Sequence, residues 1–366
     1  MKILAIQDYL RVGGTETQFL NLTARWAGEG HEVQRLLFRR GGALYPLALA
    51  EGPPPRVLQP FSTPWNWWAP RLRSTVLSFQ PDRVICFGRN AHWSFSRQFK
   101  ETELSGLVAT LRTGRSLPAG YRRILGAAES TVTNSRYAAG LAVQNGASSG
   151  RVQVIENGCR LADAVVPDRS AARKALGLED HDCCVLCLGS FVPGKAQERL
   201  LSVWKEISPG SRRRLRLWFV GDGPRRADVE NAAMDLPDGD RIQFWGSRSD
   251  PEQFLAAADG MVSVSREESS PNALVEGLWV GLPIAATRCA GVEELVSEES
   301  GGLLVEDSLE GERRIASWLE SHPQEAERRL AACQSYREVA RKRFDPTLRA
   351  DDYLQLFDRL NRFSAV

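Results

Sequence analysis

The sequence predicts an α/β protein of two doubly wound domains, each an open parallel sheet covered by helices on both faces. Three observations carry this. Short, continuous apolar and β-branched runs recur, separated by Gly-rich or polar turns and helical stretches, as strands buried on both faces do. The pattern lapses near residue 160 and restarts near residue 183. The length, 366 residues, suits about two domains at roughly 150 residues each.

In order, strand 1–7 leads into a helix over 15–28, with Thr15 as its expected cap. Strands over 31–38, 83–87, 107–111, 131–133 and 152–155 follow. The stretch 160–178 lacks a strand period and contains Pro167, so the domain boundary is placed there, between domains of 1–165 and 170–345. Strands over 183–189, 215–220, 241–245, 261–265, 284–287 and 303–305 build the second sheet. A last helix over 346–363 lies beyond it.

Composition narrows the class. Hydrophobic residues are 43% and charged residues 25% of the chain, which excludes disordered and fibrous architectures. No uncharged apolar run approaches the roughly 18 residues of a membrane span. The opening Met1-Lys2-Ile3-Leu4-Ala5-Ile6 stops at Gln7-Asp8, too short for a signal-peptide core. Seven cysteines scattered from Cys86 to Cys333 fit reduced thiols, so a cytoplasmic protein is expected. The net charge of +2 conceals an asymmetry: residues 1–165 carry 20 Lys+Arg against 11 Asp+Glu, the remainder 27 against 34. A basic front half suits an anionic membrane surface or a phosphorylated substrate. Its basic residues follow no nucleic-acid motif, so no nucleic-acid partner is expected.

Open parallel sheets bind ligands beyond the carboxyl ends of their strands. The turns there are Gly13-Gly14-Thr15, Arg89-Asn90-Ala91-His92, Arg112-Thr113-Gly114-Arg115 and Asn134-Ser135-Arg136 in the front half. The back half offers Ser190 to Lys195, Gly221-Asp222-Gly223-Pro224, Gly246-Ser247-Arg248 and Arg266 to Ser270. Nearly all are glycine with polar or basic residues, so two such edges facing one another would enclose a cleft for an anionic, hydroxyl-rich ligand.

The stretch Glu268 to Pro283, ESSPNALVEGLWVGLP, concentrates the chemistry. Ser270 is the expected N-cap and Pro271 the first helical residue. Gly281 would close the helix and Pro283 prevents its continuation. Its amino end, just after a strand, is a ready phosphate site. Glu276 sits among Ala273, Leu274 and Leu278 and needs a partner, for which a ribose is suited. Asp180-His181-Asp182 and Asp238-Gly239-Asp240 lie before strands, at the opposite sheet edge, and Cys183-Cys184-Val185-Leu186-Cys187 has no matching Cys/His pair, so no metal is assigned. Trp65-Asn66-Trp67-Trp68-Ala69-Pro70-Arg71-Leu72-Arg73 suits either a membrane interface or lipid-linked acceptor, or packing against the sheet.

Glu268 and Glu276 bracket seven residues, and the run resembles the Glu-x7-Glu signature of retaining GT-B glycosyltransferases, especially glycosyltransferase family 4. Other landmarks stand in the same order: Gly13-Gly14-Thr15-Glu16, Gly30-His31-Glu32-Val33, Asn134-Ser135, Ile155-Glu156-Asn157-Gly158, Gly189 with Lys195, Gly221-Asp222-Gly223-Pro224 and Gly291-Val292-Glu293-Glu294. The resemblance implies a GT-B fold of two Rossmann-like domains facing a central cleft, with the segment 346–366 completing the first. It implies a nucleotide-sugar donor, with UDP expected, and a glycan or lipid-linked acceptor, in cell-surface polysaccharide or glycolipid synthesis. The nucleotide-sugar is a substrate, and no cofactor or metal is expected. Glu276 would bind the ribose, Glu268 the donor sugar and Lys195 the diphosphate. Gly13, Gly14, Ser190, Gly221, Asp222, Ser270, Pro271, Asn272, Ala273 and Leu274 would line the donor site. Ser190 stands where the family usually has arginine, so a second cation is sought among Arg112, Arg115 and Arg248. Arg112 stands where many members carry a histidine near the sugar, and His92, Arg115 and Trp67 are acceptor-side candidates. The alternatives are a degenerate GT-B protein that binds nucleotide-sugar or a partner, and a sugar-nucleotide 2-epimerase.

Overall fold

The computed structural model describes residues 1–11, 13–61, 63–112, 117, 119–298 and 300–360. It divides into two compact units, Met1–Gly158 with Asp345–Val366, and Cys159–Phe344. The boundary thus falls earlier than the sequence suggests, and residues 159–165 belong to the second unit. Arg160–Ala162 already forms a short 3-10 turn, a feature without the strand period used to place the boundary.

The first unit is a seven-stranded sheet of β1 (Lys2–Gln7), β2 (Glu32–Leu37), β3 (Arg56–Val57), β4 (Arg83–Cys86), β5 (Leu107–Leu111), β6 (Ser130–Thr133) and β7 (Val152–Val154), in the order β3-β2-β1-β4-β5-β6-β7. Every pairing is parallel. All of β5 is buried, as a strand covered on both faces must be. The helix Pro346–Arg359 returns to this unit. Asp345 caps it, accepting from the Thr347 and Leu348 amides at 2.7 and 3.1 Å. Tyr353 and Phe357 pack edge-on against Trp26 of the first helix, with centroids 5.6 and 5.4 Å away. Gly158 sits against Pro346, where a Cβ would approach the proline Cα to 2.7 Å.

The second unit is a six-stranded sheet of β8 (Cys183–Leu188), β9 (Leu215–Val220), β10 (Ile242–Phe244), β11 (Gly260–Ser263), β12 (Ile284–Thr287) and β13 (Leu303–Val305), in the order β10-β9-β8-β11-β12-β13. Its pairings are also all parallel. A 35-residue helix, Leu309–Arg343, with Pro323 inside it, follows β13. Asp182 is buried as the acceptor of Arg216 and Arg241, at 3.1 and 2.9 Å. Among the described residues no helix is long and apolar enough to cross a membrane.

Each unit encloses one neutral histidine. In the first, the Thr110 amide donates to His92 Nε2 at 3.1 Å, so Nδ1–H donates to the Gly88 carbonyl at 2.5 Å. In the second, Arg329 donates to His322 Nδ1 at 2.6 Å and Nε2–H donates to the Asp259 carbonyl at 3.1 Å. Burial lowers both imidazoles from the ordinary 6.5 to about 4, with the Arg329 charge adding to the effect on His322. The unfolded chain therefore binds these protons more readily between pH 6.5 and 4. Stability is full above pH 6.5 and declines through that window, by on the order of 2–3 kcal/mol per histidine. Melting temperature should fall between about pH 7 and about pH 4.5, less steeply in His92→Gln; a flat profile in the wild type would contradict these assignments.

Candidate active site

The signature helix, Asn272–Val280, follows β11. Pro271 has φ −72° and ψ 110°, an extended conformation, so it is the cap itself rather than the first helical residue. Ser270 lies one residue further out, a correction to the sequence expectation. Gly281 closes the helix in the left-handed region at φ 81°, and the Leu282 amide bonds back to Gly277 at 2.9 Å. First-turn amides of a helix have no intrahelical acceptors, so this end attracts anions. Pro271, Ala273 and Leu274 line a small cleft together with Lys195, Ser263 and Ser265, at the carboxyl ends of β8 and β11.

Lys195 and Glu268, separated by 73 residues, meet here: the lysine Nζ donates to Glu268 Oε1. Both side chains are half-buried. Lysine reaches across the backbone at Gly189, whose Cβ position would lie 3.7 Å from Lys195 Cε. Glu276 is 5% exposed and lies in an apolar cluster with Leu274 and Leu278. Its partner is Arg160, which donates from Nε at 2.6 Å and from Nη2 at 3.4 Å. Sequence reasoning found that Glu276 needs a partner but missed Arg160, 116 residues away.

The glycine landmarks are close-approach positions. A Cβ at Gly221 would collide with the Gly189 carbonyl oxygen, and one at Gly291 with that of Ser269. These contacts bring the turns beside Ser190 and Asp222 together, where the Phe191 amide bonds to the Asp222 carbonyl at 3.0 Å. Asp222 itself accepts from the Gly223 amide at 2.7 Å and pairs with Arg226 at 3.5 Å. Ser190 is exposed, and its carbonyl accepts from Gln197 at 3.0 Å.

Two of the three candidates for a second cation have partners within the protein. Arg248 makes a two-point pair with its neighbour Asp250 at 2.9 and 2.8 Å. Arg112, in the first unit, is held by the Asn157 side chain and the Tyr353 hydroxyl. Arg115 lies outside the described residues. Exposed Arg266 was passed over; its amide bonds to Gly194 of the Lys195 turn at 2.9 Å.

In the first unit, Gly13 is the cap of the helix Gly14–Gly28, not Thr15, and it leaves room for the Glu16 carboxylate. Burial pushes that carboxyl up, while Arg11 donates to it at 3.0 Å and to Asp8 at 2.8 Å. Asn90 donates to the same Asp8 oxygen at 2.7 Å. Gln18 makes both of its side-chain bonds to Gly158, at 2.7 and 3.1 Å. Ser135 caps the helix Arg136–Gln144. His92, expected in a turn facing the acceptor, lies instead inside the helix Arg89–Gln98, fully buried and stacked on Tyr121 at 4.1 Å. Gly88, at φ 73°, is the cap of that helix, which therefore begins before the histidine. Trp67 is half-exposed.

Comparison with known proteins follows this division. The family model described as Glycosyltransferase Family 4 matches residues 12–163, and the one described as Glycosyl transferases group 1 matches residues 182–321. The chain is 33% identical over 210 residues to the lipopolysaccharide core biosynthesis glycosyltransferase LpsD of Rhizobium meliloti, covering 57% of each. It is 26% identical over 139 residues to the N-acetyl-alpha-D-glucosaminyl L-malate synthase of Bacillus anthracis, covering 38% of this chain and 36% of that one. It thus spans little more than half the length of the first of these relatives and about a third of the second. In structure it is similar to Anabaena HepE in complex with UDP and glucose, with TM-score 0.81 and 20% identity over 98% of this chain and 99% of the other. It is also similar to WaaG, a glycosyltransferase involved in lipopolysaccharide biosynthesis, with TM-score 0.76 and 17% identity over 98% and 100%. The two family models fall on the two parallel-sheet units, and the chain belongs to glycosyltransferase family 4, with the GT-B fold.

Proposed function

We propose that the protein is a retaining, metal-independent hexosyltransferase that moves a sugar from a UDP-sugar to a glycan or lipid-linked acceptor, in cell-surface polysaccharide or glycolipid synthesis. The observation that carries this reading is the meeting of Lys195 with Glu268 beside the amino end of the helix that buries Glu276. Lipopolysaccharide enzymes among the relatives and the UDP complex of a structural neighbour support the donor and the pathway class.

Lys195 is free to exchange its carboxylate partner for the donor's diphosphate, a stronger charge partner. Glu268 then turns its oxygens to the sugar hydroxyls. Arg160 pairs with the Glu276 carboxylate and occupies two of its acceptor positions, leaving others for the ribose hydroxyls. The anomeric carbon's bond to the phosphate oxygen breaks, and the acceptor oxygen bonds to that carbon on the same face. The acceptor proton passes to the departing phosphate oxygen, so no side-chain nucleophile is needed. Lys195 and the helix amides stabilise the charge that develops on the diphosphate. A non-catalytic nucleotide-sugar binder is the competing reading, favoured by Ser190 and by the engaged Arg112 and Arg248.

Three variants separate the roles. Lys195→Met should depress kcat by on the order of 100-fold with little change in donor KM. Glu276→Gln should weaken donor binding about tenfold, read by calorimetry with UDP. Arg160→Met should lower stability by about 3 kcal/mol, because it strands a buried carboxylate. A thermal-shift screen of UDP-, GDP- and ADP-sugars tests the base. Stabilisation without turnover on any acceptor would favour the binder, and wild-type kinetics in the Lys195 and Glu276 variants would refute the site.

A further inference from the structure

The first unit holds a groove of about 950 Å³ between the segment 67–71 and the helix Arg89–Gln98. Trp67 and Trp93 form two of its walls, with rings 6.0 Å apart and 84° to one another. The Arg97 guanidinium lies over the Trp93 ring at 4.9 Å. Arg71 and Arg89 also line the groove, and among the described residues none of its lining is acidic.

The tryptophan segment is held in place by built contacts. Buried Gln59 donates to the Trp65 and Trp68 carbonyls at 2.8 and 2.7 Å. Ser94 donates to the Trp67 carbonyl at 2.7 Å, and Gln98 to that of Ala69 at 3.0 Å. The indoles are therefore presented on a fixed backbone, which lowers the ordering cost of binding. Asn90, bonded to Asp8 just beyond β1, places one end of the groove at the ligand-facing edge of the sheet.

Indole faces suit the C–H faces of a pyranose, and arginines suit phosphate or carboxylate through paired hydrogen bonds. A concave site favours an enclosed small ligand over a flat lipid surface. We propose that this groove binds an acidic sugar, a pyranose bearing phosphate or carboxylate, and that this sugar is the end of the acceptor. Its role as acceptor rests on the transfer reaction proposed above, whereas its ligand chemistry does not.

Saturation-transfer NMR on the full chain tests this with glucose 6-phosphate, glucuronic acid and uncharged glucose. The two acids should bind with Kd of about 1 mM and glucose about tenfold more weakly. Arg97→Gln and Arg71→Gln should each weaken the acids about tenfold and leave glucose unaffected. Trp67→Ala should weaken all three, and none of these variants should alter the thermal shift with UDP. Equal binding of acids and glucose, no binding of either acid, or variants that bind like the wild type would overturn the proposal. So would phosphatidylglycerol vesicles that bind the wild type and not Trp67→Ala while the acids give no signal. Acid binding in a protein that UDP does not stabilise would refute the transferase reading and leave the groove's assignment standing.

Discussion

A charged carboxylate buried in an apolar helix constrains the second unit more than any other single feature. Glu276 is nearly enclosed by Leu274, Leu278 and their cluster, where an unpaired charge would cost several kcal/mol. Arg160 answers it from the first turn of that unit, so the ion pair fastens the entering chain to the signature helix. Next to it the Cys159 amide bonds to the Phe344 carbonyl at 2.7 Å, tying the unit's first and last residues together. The helix is thereby fixed in orientation, and its amino end stays aimed past the carboxyl ends of β8 and β11.

Around that end, side chains are removed where backbones must meet and retained where charge is needed. Gly221 and Gly291 allow the loops to touch their neighbours' carbonyls. Lys195 and Glu268 hold one another, which keeps both half-buried charges compensated. On the proposed reading, a diphosphate would meet a lysine already in position rather than one that must be ordered, the arrangement expected of electrostatic preorganisation. The first unit repeats the logic differently: Asp8 gathers Arg11 and Asn90 at the end of β1, and Gln18 fixes Gly158 where that unit's chain departs.

Much of this was legible in the sequence. Continuous apolar runs located both sheets, because a doubly covered strand has no polar face to disguise it. Two-residue β3 was missed, since so short a strand has no measurable period. The helix Leu309–Arg343 was not singled out in the sequence; its surface is largely polar and it carries Pro323 inside it. At the site, Glu268 and Lys195 were singled out through the resemblance to the family signature, and Glu276 by that resemblance and by its apolar setting. Their partners were less accessible: nothing local marks Arg160 as the answer to Glu276. Arg248 and Arg112 looked available in sequence, yet Asp250, Asn157 and Tyr353 engage them. His92 was misplaced because Gly88 begins a helix where a turn was expected, and burial then made it a packing residue.

A crystal structure of the protein with UDP bears most directly on the central claim. The pyrophosphate should sit about 3 Å from Lys195 Nζ and from the amides at the start of Asn272–Val280, with the ribose at Glu276. A nucleotide bound elsewhere, with the Lys195–Glu268 pair undisturbed, would contradict the account.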